Sequence, residues 1–288
     1  MMGGDPEDAV ISATALELFH NFALIHDDIE DSSEMRLGRQ TLQRIHGIPL
    51  AINAGDALHG IVHQVLLENH AKLGTQKALQ VHQHLNLVMQ KTFEGQALDI
   101  GWVEKEVFPN RGQYQQMIVR KTGWYSGRGP CQCGALIAGK EGGLFESLGD
   151  FGESLGIGFQ IRDDILNLTE SSESHAPEAQ DGGYGKEQGG DFAEGKRTLI
   201  TIEMLERLNP EEQNRLQSIL LKARTEVKEE EIVWAVEQSE RCGALDAARL
   251  EAQNHAQRAS SELSKMPQGS PRKILEELLG FLAEDRKV

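Results

Sequence analysis

Apolar residues recur at the spacing of an α-helix along nearly the whole chain, and this periodicity restricts the fold more than any other feature. Leu, Ala, Glu and Gln dominate the periodic segments, and runs of β-branched residues are short. Glycine and proline separate the segments, and no strand pattern alternates with them. The periodicity predicts helices over 7–32, 48–70, 75–99, 111–139, 143–168, 196–207, 210–224, 228–240, 243–265 and 271–285. We therefore expect an all-α fold, a single-domain helical bundle over residues 1–288.

Two clusters of aspartates lie at the ends of apolar helical segments. Asp27, Asp28 and Asp31 form the first cluster, and Asp163 and Asp164 form the second. Carboxylates rarely enter a buried helical face unless a cation pairs with them. Because residues four apart share one face of a helix, Asp27 and Asp31 lie one above the other and repel each other unless a cation lies between them.

A hard dication is the partner that these carboxylates suggest. Mg²⁺ prefers oxygen ligands and usually takes one or two carboxylates together with phosphate oxygens of a substrate. Two clusters indicate one polycationic site shared by two helices. The alternative is a pair of solvated acidic helix ends, which are common in acidic proteins. Basic residues that could bind a diphosphate follow the clusters, namely Arg36, Lys121, Lys186 and Lys196.

The stretch from about 170 to 195 has no helical pattern and is rich in Ser, Gly, Glu and Gln. Long loops inside a domain are usually functional lids or disordered segments. This stretch follows the second aspartate cluster and carries Lys186, so we interpret it as a candidate lid. A tolerated surface insertion is the alternative.

Composition excludes several classes of function. The formal net charge of −16 argues against a nucleic-acid partner, because phosphate backbones are bound by clustered Lys and Arg. No apolar run approaches the ~20 residues of a membrane span, and the acidic start lacks the basic region of a signal peptide. The three cysteines are an odd number without zinc spacing, which is typical of reduced thiols. These features predict a cytoplasmic protein without an integral membrane span.

Five motifs, in the same order, resemble those of the trans-isoprenyl diphosphate synthases, the polyprenyl synthetase family, and the resemblance covers most of the chain. The sequence L-I-H-D-D-I-E-D at 24–31 is similar to the first family motif, D-D-x-x-D, and G-F-Q-I-R-D-D-I-L-N at 158–167 is similar to the second. Further matches are G-Q-A-L-D at 95–99, K-T-G at 121–123, and G-D at 190–191 with G-K-R-T at 195–198. The resemblance implies an isoprenoid-synthase bundle with a central active-site cavity, usually found as a homodimer.

The implied reaction joins an allylic diphosphate to isopentenyl diphosphate with three Mg²⁺ ions. By resemblance, Asp27, Asp28 and Asp31 hold two of these ions, and Asp163, with Asp164 nearby, holds the third. Metal and lysine charge stabilise the leaving diphosphate, so that the C–O bond ionises to an allylic cation. Apolar walls keep water away from this cation until the isopentenyl double bond attacks it.

The same resemblance assigns residues to the two diphosphates. Those expected at the allylic diphosphate are Arg36, Lys121, Lys196, Thr122, Gln160 and Lys186. Among the groups expected at isopentenyl diphosphate, His20 is the one in place. The catalytic set is then Asp27, Asp28, Asp31, Lys121, Asp163 and Lys196.

In this family, the side chains below the first aspartates close the bottom of the product pocket. Phe22 lies five residues before Asp27, ~7.5 Å below it along a helix that rises 1.5 Å per residue. Ala23 is small where a second aromatic residue would suit a C15 product, and Phe19 could form a deeper floor. We predict C15 to C20 products, with geranylgeranyl (C20) diphosphate favoured. A role for Phe22 and Phe19 as mere core residues is the alternative.

The isopentenyl side departs from the family pattern. The family binds the diphosphate of isopentenyl diphosphate with a G-K-x-x-R-P segment and with a second arginine after the first motif. Residues 3–6 resemble the loop that follows this segment, and Leu37 stands in the place of the second arginine. A shortened start would explain the first difference but not Leu37. Two alternatives stay open: a terpene-cyclase-like or unusual-acceptor enzyme that needs no isopentenyl diphosphate, and a non-catalytic partner subunit. Missing donors to a charged phosphate would weaken binding severely.

Overall fold

A computed structural model describes residues 1–36, 38–169 and 188–283, with only the backbone described at 281–283. Its helices are α1 (Val10–Glu30), α2 (Leu42–His46), α3 (Ile48–Leu73), α4 (Thr75–Glu104), α5 (Arg111–Ile118), a π-helical segment (Val119–Arg128), α6 (Gly129–Ile137), α7 (Gly143–Thr169), α8 (Gly190–Ala193), α9 (Leu199–Arg207), α10 (Pro210–Leu220), α11 (Glu229–Arg241), α12 (Ala244–Ser264) and α13 (Ser270–Ala283). Single 3₁₀ turns lie at Pro6–Asp8 and Arg224–Glu226. The all-α prediction is confirmed.

All ten predicted helices have a counterpart within a few residues of the predicted bounds. The predicted helix 111–139 is really three elements, because the chain widens into the π-helical segment between α5 and α6. Within the stretch predicted as a loop, 190–193 forms the one-turn helix α8, while 170–187 lies outside the described residues. Residues 284–285 of the last predicted helix are also outside them.

The periodicity did not predict a small hairpin after α1. Strands β1 (Met35–Arg36) and β2 (Arg39–Gln40) pair in antiparallel register, with Met35 opposite Gln40 and Arg36 opposite Arg39. Two-residue strands are too short to show a period of two. The hairpin places Arg36 beside Asp27 and Asp28 at the C-terminal end of α1.

Apolar side chains form three buried clusters around the bundle. One packs α5, α7, α9, α10 and α12 together and includes Ile161 and Met204. The second packs α1 against α3, α4 and α6, with Phe19 and Leu66 at its centre. The third lies under α13 and includes Phe151. Among the described helices, none is both long and apolar enough to cross a membrane.

A backbone contact between two glycines joins the π-helical segment to α7. A Cβ added to Gly127 would lie 1.8 Å from the carbonyl oxygen of Gly152, and one added to Gly152 would lie 2.3 Å from the carbonyl oxygen of Gly127. No side chain fits at these distances. This close approach fixes the distance between the π-helical segment, which carries K-T-G, and α7, which carries the second aspartate cluster.

We expect Gly127→Ala to destabilise the protein by about 3 kcal/mol, because overpacking at a rigid backbone contact forces the two helices apart. The matched control is Gly134→Ala in α6, where an added Cβ meets no atom within 4 Å. This control should stabilise the protein by about 0.5–1 kcal/mol, because alanine favours a helix over glycine. Urea unfolding followed by circular dichroism measures both changes. Equal midpoints for the two variants would contradict the contact.

Candidate active site

A cavity of about 500 Å³ lies between α1, α4, α5, the π-helical segment, α7 and α8. Its lining combines ionic side chains, which we call the ionic end, with apolar side chains, which we call the apolar end. The ionic end is lined by the carboxylates Asp27, Glu30, Asp99, Asp163, Asp164 and Asp191 and by the cations Arg36, Lys121, Lys196 and Arg197. The apolar end is lined by Phe22, Ala23, Phe93, Met117, Ile118 and Phe159. The cavity therefore brings both predicted aspartate clusters to one place.

The hairpin brings Arg36 to the first aspartate cluster. Its Nε donates to Oδ1 of Asp28 at 2.8 Å, and its Nη2 donates to Oδ2 of Asp27 at 3.2 Å. Asp27 lines the cavity, whereas buried Asp28 is not among the described lining residues. The structure thus places Asp28 beside Arg36 at the edge of the site, and a direct role in metal binding stays a prediction.

Lys196 connects the first cluster to the far wall. Its Nζ lies 2.8 Å from Oδ2 of Asp31, 2.9 Å from Oε2 of Glu194 and 3.8 Å from Oδ1 of Asp191. Burial alone would lower the pKa of Lys196, but these negative charges outweigh burial and raise the pKa well above its usual value. The ammonium group is therefore charged at neutral pH and tied to three carboxylates.

The second cluster contains a strongly buried carboxylate, Asp164. Burial, and then the charge of Asp191, raise the pKa of Asp164 well above its usual range. Gln160 donates from Nε2 to Oδ1 of Asp164 at 3.0 Å, and its Oε1 lies 3.4 Å from Oγ1 of Thr122. Asp163 lines the same wall. Of the predicted pair, Gln160 therefore contacts a carboxylate directly, and Thr122 contacts Gln160.

Lys121 reaches the cavity from the π-helical segment. Its Nζ lies 2.5 Å from Oδ2 of Asp99, and although burial opposes it, the charges of Asp99 and Asp27 raise the pKa of Lys121. Gly95 makes this contact possible, since a Cβ there would lie 2.2 Å from the backbone nitrogen of Lys121. The neighbouring Gln96 donates to Oδ1 of Asp27 at 3.3 Å. The G-Q-A-L-D motif thus docks α4 against the π-helical segment.

Aromatic rings stack at the apolar end. Phe22 lies edge-on to Phe93 with centroids 5.9 Å apart, and it stacks on His59 at 4.9 Å. Phe19 is fully buried and packs against Phe22 at 5.8 Å, and it is not among the described lining residues. Phe22 and Ala23 therefore contact the cavity directly, while Phe19 lies one layer behind.

His20 lies in the cavity wall beside Tyr125. It stacks on Tyr125, with ring centroids 5.8 Å apart and planes 16° from parallel, and both line the cavity. Burial lowers the pKa of His20, so the imidazole is neutral at pH 7 and can donate or accept one hydrogen bond. Tyr125 was missed in the sequence because a tyrosine inside a helical pattern is usually a core residue.

Arg197 was also missed, although it is 1% exposed and lines the cavity. Its guanidinium lies 4.3 Å from the centroid of the Phe108 ring, and it donates to the carbonyl oxygens of Val107 at 3.1 Å and of Gly195. Gly195 has φ of 65°, and a Cβ there would lie 2.6 Å from the carbonyl oxygen of Leu220. These contacts anchor the turn that carries Lys196.

The donor set of the ionic end fits a hard dication. Among the described residues, six carboxylates and four cationic side chains line the cavity, so negative charge is in excess there. Burial raises the pKa of Asp31 as well, although the nearby charge of Lys196 opposes this shift. In the described part of the chain, no three carboxylate, histidine or cysteine side chains converge on one point that could hold an ion. Arg36 and Lys196 bridge the carboxylates in this arrangement.

Two residues of the predicted site lie outside the described part of the chain. Lys186, expected at the allylic diphosphate, is one of them, and Leu37, noted on the isopentenyl side, is the other.

The sequence and the fold of the chain are similar to those of known prenyl diphosphate synthases. A family model described as polyprenyl synthetase matches residues 1–238. A short chain isoprenyl diphosphate synthase of Methanothermobacter thermautotrophicus is 34% identical over 283 residues, which cover 98% of this chain and 82% of that protein. The crystal structure of geranylgeranyl pyrophosphate synthetase from Pyrococcus horikoshii superimposes with a TM-score of 0.84 at 30% identity, covering 98% of this chain and 81% of that one.

A further solved structure carries ligands. It is geranylgeranyl pyrophosphate synthase from Corynebacterium glutamicum, complexed with isoprenyl diphosphate and magnesium. It superimposes with a TM-score of 0.85 at 25% identity, covering 99% of this chain and 81% of that one.

Proposed function

The chain belongs to the polyprenyl synthetase family and is a trans-prenyltransferase, and we propose that it joins an allylic diphosphate to isopentenyl diphosphate to give mainly geranylgeranyl (C20) diphosphate. One observation carries this proposal. Asp27 of the first aspartate cluster, Asp163 and Asp164 of the second, and the cations Arg36, Lys121 and Lys196 line the ionic end, and the same cavity has an apolar end. A diphosphate fits the first end, and an isoprenoid chain fits the second.

The chain's own cations bind and orient the allylic diphosphate. We assign Arg36, Lys121 and Lys196 to its oxygens, with Thr122 and Gln160 supporting them, since all five line the ionic end. Asp27 and Asp31 of the first cluster, and Asp163 and Asp164 of the second, would hold Mg²⁺, and we propose three ions. When bound, Mg²⁺ would supply the positive charge that stabilises the leaving diphosphate.

Chain growth begins when the C–O bond of the allylic substrate breaks and its electron pair leaves with the diphosphate. The aromatic and aliphatic wall formed by Phe22, Phe93 and Phe159 excludes water from the resulting cation. The isopentenyl double bond attacks the cation, and a proton passes to the released diphosphate. We assign neutral His20 to the isopentenyl side, a role supported by its position in the cavity wall beside Tyr125.

The decisive test supplies C5, C10 and C15 allylic diphosphates in turn, with Mg²⁺ and with or without isopentenyl diphosphate. We expect longer prenyl diphosphates, with C20 dominant, only when isopentenyl diphosphate is present. Excess EDTA should abolish turnover, because the cavity's own charge is net negative. Liquid chromatography with mass spectrometry identifies the products.

Two outcomes would contradict the proposal. Cyclised or hydrolysed products formed equally well without isopentenyl diphosphate would indicate a terpene-cyclase-like or unusual-acceptor enzyme. Failure to release diphosphate from any allylic substrate would indicate a non-catalytic partner subunit.

Phe22 lines the cavity and Phe19 packs behind it, which supports separate roles for the two side chains in setting product length. We expect Phe22→Ala to lengthen the main product by at least one C5 unit, because Phe22 contacts the cavity. Phe19→Ala alone should leave the length nearly unchanged, because Phe22 still covers it. The double substitution should lengthen the product beyond the Phe22→Ala variant. Reversed-phase chromatography of the dephosphorylated products measures the distribution, and an unchanged distribution in the double variant would sink the assignment.

We further propose a homodimer built on α3 and α4. Half of the exposed large apolar side chains in the described chain lie on these two helices: Ile48, Leu50, Ile52, Ile61, Leu67, Leu79, Leu87, Phe93 and Leu98. Such a concentration on a monomer surface is typical of a protein–protein interface.

We expect the wild-type chain to sediment at twice its monomer mass of 31.9 kDa. Leu67→Glu combined with Leu79→Glu should shift it towards monomer, because these side chains are 62% and 56% exposed and their loss spares the core. Leu250→Glu on α12, which is 58% exposed, is the matched control and should remain dimeric. Sedimentation equilibrium measures the masses, and a wild-type monomer would refute the proposal.

A further inference from the structure

Glu194 lies behind the cavity wall and holds the lysine that faces the diphosphate. Its side chain is 5% exposed, and it is not among the described residues that line the cavity. Oε2 lies 2.9 Å from Nζ of Lys196. A buried carboxylate this close to Lys196 competes with any substrate oxygen for the same ammonium group.

Arg224 contacts the other oxygen of the same carboxylate. It lies in the 3₁₀ turn between α10 and α11, and its Nη1 donates to Oε1 of Glu194. Its side chain is 26% exposed, and it too is not among the described lining residues. Glu194 is therefore shared by two cations, one on the cavity wall and one outside it.

The sharing determines how firmly Lys196 is held. The two cations repel each other across the carboxylate that they share, so each is held less firmly than it would be alone. Lys196 has two other carboxylate neighbours, Asp31 and Asp191, and both belong to the motifs described above. Glu194 belongs neither to an aspartate motif nor to the described cavity wall. Arg224 thus weakens the ion pair between Glu194 and Lys196. The ammonium group of Lys196 can then move more easily from Glu194 to a diphosphate oxygen.

We propose that Arg224 is a positioning residue for the prenyl-transfer reaction, acting on Lys196 through Glu194. The inference rests on the proposed function, in which Lys196 binds the allylic diphosphate. Without the charge of Arg224, the buried carboxylate of Glu194 is left with Lys196 as its compensating cation. Glu194 then binds Lys196 more tightly. Lys196 is then withheld from the substrate.

The experiment compares four variants by steady-state kinetics with farnesyl diphosphate and isopentenyl diphosphate, each varied while the other is saturating. We expect Arg224→Gln to raise KM for farnesyl diphosphate about tenfold, the effect of weakening one hydrogen bond to a charged group. KM for isopentenyl diphosphate should stay within about twofold. Arg224→Lys, which keeps the charge, should behave like wild type.

Neutralising Glu194 should reverse the defect. In Glu194→Gln the hold on Lys196 is weaker, so KM for farnesyl diphosphate should fall about threefold. Glu194→Gln combined with Arg224→Gln should return it to within about threefold of wild type, because neither buried charge then remains. The double variant and Glu194→Gln also keep the test decisive if Arg224→Gln alone does not fold.

The matched control is Arg241→Gln, which removes an arginine of α11 that pairs with Glu212 on α10 and lies 57% exposed. It should leave both KM values unchanged. An unchanged KM for farnesyl diphosphate in folded Arg224→Gln, a rise in Glu194→Gln, or a double variant as impaired as Arg224→Gln would each overturn the inference. Absence of any product from wild type would instead refute the proposed function, so the two failures are distinguishable.

Discussion

Repulsion among buried carboxylates is the constraint on which the rest of the structure depends. Asp164 shows it most clearly, because burial and neighbouring Asp191 both oppose its ionisation. The compensating cations come from three irregular elements: Arg36 from the hairpin, Lys121 from the π-helical segment and Lys196 from the turn after α8. The regular helices place the negative charge, and the irregular elements bring the positive charge to it.

Irregular backbone at these points requires unusual support. Gly95 lets α4 approach the backbone at Lys121, and Gly127 meets Gly152 at the other end of the π-helical segment. The turn before Lys196 needs Gly195 for its positive φ and for its approach to α10. These close approaches have no room for a side chain, so they hold the ionic end in place against its own repulsion.

Much of this could be predicted from the sequence, because helices and carboxylates leave local signals. Helical periodicity predicted the long helices, and the spacing of Asp27 and Asp31 indicated a shared cation. The hairpin and α8 were missed, because each is too short to show its own periodicity. The π-helical segment was missed because it lies inside the longer helical pattern predicted over 111–139. Arg197 was missed for a different reason, since only tertiary contacts distinguish an arginine bonded to buried carbonyls from a solvated one. The same reason hides Phe19 behind Phe22, because sequence spacing fixes a face of α1 but not which layer touches the cavity.

The charges of the cavity show why binding of a diphosphate must be an exchange of partners. Lys121 and Lys196 are already paired with carboxylates, and the described residues of the lining include more carboxylates than cations. A diphosphate entering this arrangement would be repelled unless further positive charge entered with it. Dications that take over the carboxylates release the lysines for the substrate, so metal and diphosphate favour each other's binding. The residues that tune how readily a lysine changes partner therefore act on substrate affinity without touching the substrate.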